Sequence, residues 1–520
     1  MSDVARQAHR VLMASFHGLE LPGWLAGRLE QGLGSVCLFG TNLSGSDAQA
    51  TELTGQIQQS STDGCLVTLD EEGGDVTRLD ARRGGSTAGH AVLGAVDDVA
   101  LTRAVGQDIG KRLREIGIGL NLGPVADVNC EPDNPVIGVR SFGATPELVG
   151  RHAVAYTNGL HAAGVAACVK HFPGHGATVE DSHLSMPRLD IELETARLRE
   201  LAPFATAVAA GVPAVMTSHV VLAAVDAANP ATTSSAVLGI LRDELGFDGV
   251  IVTDALDMAG VAGPYGGPGR AAVAALAAGA DLLCIGPERA PGEMESVLSW
   301  IVDDVLAAVS DGRLAPERLA EAARRVDALV AAVRSGDLPT GPTPGDGGNA
   351  TSGSVDGTGP VADASLEAAR RALHVRGQSQ IPDLKNALLL EFHVTPGIAA
   401  GEVPWTLPLE VAVKRSLSPA DDVVAVLAQV PERPVVALVR DAHRHAWVAD
   451  RLEQIARARP DLITVETGWP VVDAEGRPTG VPGAVAVWTY GGSSVSLRAA
   501  AERLGTAQVR AQGTGAGDSR

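Results

Sequence analysis

Eight short apolar runs recur between about residues 10 and 286, separated by longer stretches rich in Ala, Leu and Arg. They read VLMASF, SVCLFG, CLVTLD, GIGLNLGPVADV, GVAACVK, VPAVMTSHV, GVIVTDAL and ADLLCIG. Continuous apolar runs of this kind mark strands that bury both faces, which is the condition of a parallel sheet covered by helices. The intervening stretches, such as DVALTRAVGQDIGKRLREIG, have the length and character of crossover helices. Eight strand–helix units predict an α/β chain whose N-terminal part closes into a (β/α)8 TIM barrel.

The runs also tend to end in polar residues: Asp70, Asn121, Lys170, His219 and Asp254. In a barrel these carboxyl ends share one rim, where active sites form. The competing reading of any one of them is a satisfied buried hydrogen bond.

A chain of 520 residues exceeds one ordinary core, so a second domain is expected. APERLAEAARRVDALVAAVRS reads as a helix closing a catalytic barrel over residues 1–335. Residues 336–361 are rich in Gly, Pro, Ser and Thr and read as a linker or mobile loop. NALLLEF, PVVALVR, DLITVETG and AVAVWTY then resume as strands, with AWVADRLEQIARARP as a helix. Residues 362–510 are therefore expected to form a smaller C-terminal α/β sandwich domain, followed by a disordered tail.

The formal net charge of −21 disfavours nucleic acid as a partner, because phosphate binding needs a basic surface. No stretch reaches membrane-spanning length, and the N-terminus lacks the long apolar segment of a secretory leader, so no membrane partner and a cytoplasmic location are expected. Cys37, Cys65, Cys168 and Cys284 lie inside apolar runs and read as small buried hydrophobes. The count, five with Cys130, is odd and includes no C-x-x-C pair, which argues against a disulfide framework or a zinc ribbon.

The densest chemistry lies in KHFPGHG, residues 170–176, followed by DSH, residues 181–183. A metal is one reading, but Pro173 and Gly174 break the helical spacing between His171 and His175, and Lys170 repels a cation. Proton transfer is the other. In an extended loop Asp181 and His183 face the same side, so the carboxylate can fix the imidazole tautomer and raise its basicity. The bland alternative is a capped, solvated loop.

Asp254, in VTDALDM, ends an apolar run and so stands on the rim, where a lone carboxylate suits a nucleophile that forms a covalent glycosyl intermediate. Asp257 reads as the start of the next helix. Asp70, Arg78, Arg140, Lys170 and His171 are candidates to hold sugar hydroxyls by charge-assisted hydrogen bonds. Aromatics make up only 3% of the chain, which suits a small pocket for one terminal sugar better than a stacking groove for a polymer. His175 is expected to shape its loop, His219 to line or underlie the pocket, and His161 to be solvated.

LDEEGGDVTRL, GPVADVN, NPVIGVRSFG, KHFPGHG, DSH and VTDALDM occur in the order seen in glycoside hydrolase family 3. Over residues 10–335 the chain resembles the β-N-acetylglucosaminidase branch of that family, in a two-domain form. The resemblance implies that Asp254 is the nucleophile and that Asp181 with His183 is the acid/base dyad. It also implies that Asp70, Arg78, Arg140, Lys170 and His171 bind the sugar. The implied reaction is retaining, exo-acting removal of terminal β-linked N-acetylglucosamine from peptidoglycan fragments or chitin oligosaccharides, without metal or cofactor. A histidine in place of the usual acid carboxyl does not repel an incoming anion, so phosphorolysis is an alternative. Two further alternatives are substrate-assisted hydrolysis using Asp70 and Glu71, and a catalytically silent sugar-binding module.

Overall fold

The computed structural model describes residues 1–180, 186–287, 292–345, 362–377, 381–394, 397, 399–400 and 406–505. The chain forms two compact units. One comprises Met1–Ala372, Thr395–Pro404 and Tyr490–Val495, and the other comprises Leu373–Val394, Trp405–Thr489 and Ser496–Arg520.

Each of the eight apolar runs supplies one strand of the first unit. These are β1 (Leu12–Ala14), β2 (Ser35–Cys37), β3 (Leu66–Leu69), β4 (Leu120–Asn121), β5 (Ala166–Phe172), β6 (Ala214–Thr217), β7 (Val250–Val252) and β8 (Leu283–Cys284). Every position in them is buried, as two-sided coverage demands. The hydrogen-bonded order is β8-β1-β2-β3-β4-β5-β6-β7, parallel throughout, and an isolated bridge between Val252 and Leu282 joins the two ends. The ring is the expected TIM barrel.

One end of the barrel is covered. The helix Pro316–Ser335 buries Leu319, Ala322, Ala323, Val326, Leu329, Val330 and Val333, a stripe at three- and four-residue spacing. Val326, Leu329, Val330 and Val333 join the barrel's interior cluster with Leu66, Leu120, Cys168 and Met216. Val330 and Val333 meet the glycines that precede β3 and β4: a Cβ at Gly64 would lie 3.0 Å from Val330 Cγ1, and one at Gly119 2.8 Å from Val333 Cγ1. The helix therefore lies across the amino ends of the strands, and the site occupies the opposite rim. At the seam between β7 and β8, the buried Asp281 accepts from Ile251 N at 3.0 Å and from Arg242 Nη2 at 2.7 Å, and pairs with Arg318 and Arg325.

Two sequence expectations change here. His161 is not solvated. It is 5% exposed on the helix Pro146–Ala162, accepts from Ala167 N at 3.2 Å through Nε2, and donates through Nδ1 to Pro339 O. Asn158 on the same helix bonds Gly341 O at 2.8 Å and accepts from Gly341 N at 3.1 Å. The beginning of the Gly/Pro-rich segment is thus tied to the barrel by side chains that composition does not reveal. The helix Ala362–Ala372, expected with the second domain, falls in the first unit.

The second unit holds a six-stranded sheet of β9 (His374–Arg376), β10 (Leu388–Phe392), β11 (Val413–Leu417), β12 (Val435–Val439), β13 (Ile463–Glu466) and β14 (Val485–Trp488). Its order is β9-β14-β13-β12-β10-β11, parallel except for β9. The central strands β12, β13 and β14 are buried throughout, while the edge strand β11 exposes Lys414 and Arg415, charges that discourage edge-to-edge pairing. Among the described residues no helix is long and apolar enough to cross a membrane.

Candidate active site

β3 ends at Leu69, and the next residues run Asp70, Glu71, Glu72. In extended chain, positions i and i+2 face the same side. Asp70 and Glu72 accordingly turn to the rim while Glu71 turns away. Lys170, in β5, bridges the two rim carboxylates, with Nζ 2.7 Å from Asp70 Oδ1 and 2.8 Å from Glu72 Oε1. Arg140 grips Glu72 bidentately, Nε to Oε2 and Nη2 to Oε1 both at 2.9 Å. Arg78 Nη2 lies 3.4 Å from Asp70 Oδ2, and its Nη1 donates to Ala399 O at 3.1 Å.

The KHFPGHG turn is anchored from below. Asp127, fully buried in the loop after β4, receives the amides of His171 at 3.3 Å and His175 at 2.7 Å on Oδ1. Its Oδ2 accepts from His171 Nδ1 at 2.7 Å. Arg140 Nη2 donates toward His171 Nε2 at 3.3 Å, which places the imidazole proton on Nδ1. Gly176 lets the turn lie against the next loop: a Cβ there would come within 2.0 Å of Val128 O.

Electrostatics follow from burial opposed by pairing. Burial pushes the Asp70 carboxyl up, but Lys170 and Arg78 outweigh it and hold the group below its ordinary value. Burial is likewise overcome at Glu72, which Arg140 and Lys170 hold well below the carboxylate range. Asp70 and Glu72 in turn raise Lys170 despite its burial. Asp70, Glu72 and Lys170 are therefore kept ionised by one another and by the two arginines.

Asp254 follows β7 and its Oδ1 accepts from Ala255 N at 2.8 Å. Beneath it, His219 is fully buried, with Nε2 donating to Ala255 O at 2.9 Å and Nδ1 meeting Thr232 Oγ1 at 2.9 Å. His219 underlies the pocket and steadies the residue after Asp254. Asp257 precedes the helix Ala259–Tyr265 rather than starting it, and accepts from Gly286 N at 3.0 Å.

Asp70, Arg78, Arg140, Lys170, His171 and Asp254 line a single cavity of about 940 Å³, together with Glu72, His175 and Asp257. Cys37, Leu122, Met216 and Cys284 supply apolar lining. Asp181 and His183 lie outside the described residues. Glu71 does not line the cavity: its Oε2 accepts from Arg78 N at 2.8 Å and Leu79 N at 3.1 Å, so the Asp70–Glu71 pair is not a pair at the rim. Sequence reasoning missed Glu72 and Asp127. The same two-residue alternation applied to Asp181 and His183 would have found Glu72. Asp127 carried no local signal, since its partners are 44 and 48 residues away. Among the described residues no three His, Cys, Asp or Glu side chains converge as metal ligands.

Comparison with known proteins matches residues 28–329 to the model of the glycosyl hydrolase family 3 N-terminal domain. The beta-hexosaminidase A of Pseudoalteromonas piscicida is 36% identical over 272 residues, 48% of this chain and 45% of that protein. The chain thus matches less than half the length of that relative. The beta-hexosaminidase of Chromobacterium violaceum is 37% identical over 320 residues, covering 59% of this chain and 82% of that protein. Among solved structures, a glycoside hydrolase family 3 beta-N-acetylglucosaminidase from Paenibacillus sp. str. FPU-7 superposes with a TM-score of 0.83 at 32% identity, over 97% of both chains.

Proposed function

The chain belongs to glycosyl hydrolase family 3, and from that premise we propose that its barrel removes terminal β-linked N-acetylglucosamine from the non-reducing end of a glycan with retention of configuration. The observation that carries this reading is the cavity that Asp254 lines together with Asp70, Arg140, Lys170 and His171. The hexosaminidase names of the relatives support the choice of sugar.

In this mechanism Asp254 attacks the anomeric carbon and forms a glycosyl-Asp intermediate. His183, oriented by Asp181, gives its proton to the departing glycosidic oxygen. It then takes a proton from the water that releases the sugar. Asp70 accepts hydrogen bonds from sugar hydroxyls, while Arg78, Arg140, Lys170 and His171 supply donors, hold the carboxylates or fix the turn. Because Lys170 and Glu72 are ion-paired with their partners before substrate arrives, the polar lining is preorganised. The volume lies within the range of about 300–1,000 Å³ usual for small-ligand pockets, which suits a terminal sugar and part of its leaving group.

The acceptor is proposed to be water. Among the described lining residues, the carboxylates of Asp70, Glu72, Asp254 and Asp257 balance the cations of Arg78, Arg82, Arg140 and Lys170. That balance suits a neutral sugar and gives no net attraction to phosphate. Peptidoglycan fragments and chitin oligosaccharides are both substrates of the right chemistry.

The test is release of p-nitrophenol from the β-N-acetylglucosaminide, with chelator present, with and without phosphate. Turnover that survives chelation and ignores phosphate is expected. Sugar 1-phosphate formed only with added phosphate would replace hydrolysis by phosphorolysis. Loss of activity on chelation would refute the Asp254 mechanism.

A further inference from the structure

His175 is the second histidine of KHFPGHG, and loop shape does not account for all of it. Its backbone does the shaping. The amide donates to Asp127 Oδ1 at 2.7 Å, and the carbonyl accepts from Asn134 Nδ2 at 2.8 Å. The ring adds one scaffold contact, Nδ1 to Thr178 Oγ1 at 2.7 Å. The residue is 1% exposed and lines the cavity, yet Nε2 is buried without a hydrogen-bond partner among the described residues. A buried polar nitrogen in that state is costly unless a bound molecule completes it.

The chemistry of this nitrogen differs from that of its neighbours. Arg78, Arg140 and Lys170 can only donate, and the ionised Asp70 and Glu72 can only accept. His171 has both ring nitrogens engaged, by Asp127 and Arg140. Burial pushes His175 down to about 4, so the ring is neutral and one nitrogen donates while the other accepts. Thr178 decides which. Its hydroxyl lies 2.7 Å from His175 Nδ1 and 3.0 Å from His175 O. Donating to Nδ1, it leaves the proton on Nε2, which then has a hydrogen bond to give. Donating to the carbonyl oxygen, it accepts from Nδ1–H, and Nε2 then receives one. A hydroxyl rotation and a tautomer change thus switch the group's sense without net charge.

We infer that His175 is a substrate-contacting residue whose Nε2 hydrogen-bonds a hydroxyl or amide group of the bound N-acetylhexosamine, with Thr178 setting whether it gives or accepts that bond. This rests on the hydrolase reading above.

The experiment compares His175→Asn with His175→Gln. An Asn amide reaches the position of Nδ1 and a Gln amide that of Nε2. Steady-state kinetics on the aryl β-N-acetylglucosaminide would be paired with calorimetric binding of N-acetylglucosamine and thermal melts. If Nε2 contacts the sugar, Asn raises KM and weakens sugar binding about tenfold or more with a smaller change in kcat, and Gln restores most of the loss. Rescue by Asn rather than Gln would mean that only the Thr178 contact matters, and would overturn the inference. Unchanged KM and binding in both folded variants would overturn it too, while leaving the hydrolase reading intact. A wild-type protein that neither binds the sugar nor cleaves the glycoside would overturn both.

Discussion

At the residue scale, the site consists of charges that require each other. Lys170, Arg140, Asp70 and Glu72 are each disfavoured by burial and rescued by the next. Asp254 is the proposed nucleophile, so replacing its carboxylate by an amide of the same shape tests the chemistry. Asp254→Asn is expected to lower kcat by about 10³-fold or more, with its melting temperature close to wild type; a drop under tenfold in burst-free kinetics would remove it as nucleophile. Glu71 makes a different prediction. Burial pushes its carboxyl from 4.5 up to about 7. The folded chain then keeps a proton that the unfolded chain releases, so the stability this provides is full below about 4.5 and is lost as pH rises toward 7. The loss amounts to roughly 3 kcal/mol. Glu71→Gln keeps an acceptor for the Arg78 and Leu79 amides and cannot ionise. Urea midpoints at pH 5 and 7.5 should fall more for wild type than for the variant, and parallel changes would count against the assignment.

At the element scale, the decisive piece is the turn after β5. It carries Lys170 and His171 on the strand, His175 in the turn, and Gly176 where the chain touches Val128 O. Asp127 holds the turn by two amides and one imidazole. A methyl group at position 176 must push these loops apart, because the obstruction is backbone and not a flexible side chain. Gly176→Ala is expected to cut kcat/KM at least about tenfold while the barrel still folds, a combination that circular dichroism and kinetics would check together. A variant with wild-type kcat/KM would mean that the turn's position is unimportant for the reaction.

At the scale of the whole molecule, the barrel must close, and it does so at the β7–β8 seam, bridged through Val252 and Leu282. Asp281 sits there against Arg242, Arg318 and Arg325, tying the last strand to the seam and to the helix that covers the barrel floor. Asp281→Ala removes the buried carboxylate shared by Arg242, Arg318 and Arg325, while Glu321 still pairs with Arg318 and Arg325, and should cost about 1–3 kcal/mol of stability. Denaturant unfolding would measure it; a change below about 1 kcal/mol would show that the seam holds by its backbone alone.

The eight-strand barrel was legible because it depends on local pattern. A strand buried on both faces must be apolar throughout, and that requirement is written in each run without reference to any other. The rim followed from the same logic, as did the position of Asp254, because the first polar residue after such a run has to emerge at the strand's carboxyl end. What the sequence by itself determined, then, was where strands lie and that Asp70, Lys170 and Asp254 reach the rim, whereas Asn121 and His219, which end runs in the same way, are buried beside it. Only the tertiary structure decided the pairings. Glu72 with Arg140, Asp127 with His171, and His161 with Pro339 join positions 68, 44 and 178 residues apart. No local periodicity encodes such a pair, because the cost of burying each charge or polar atom is met by a partner that only the closed barrel brings within reach.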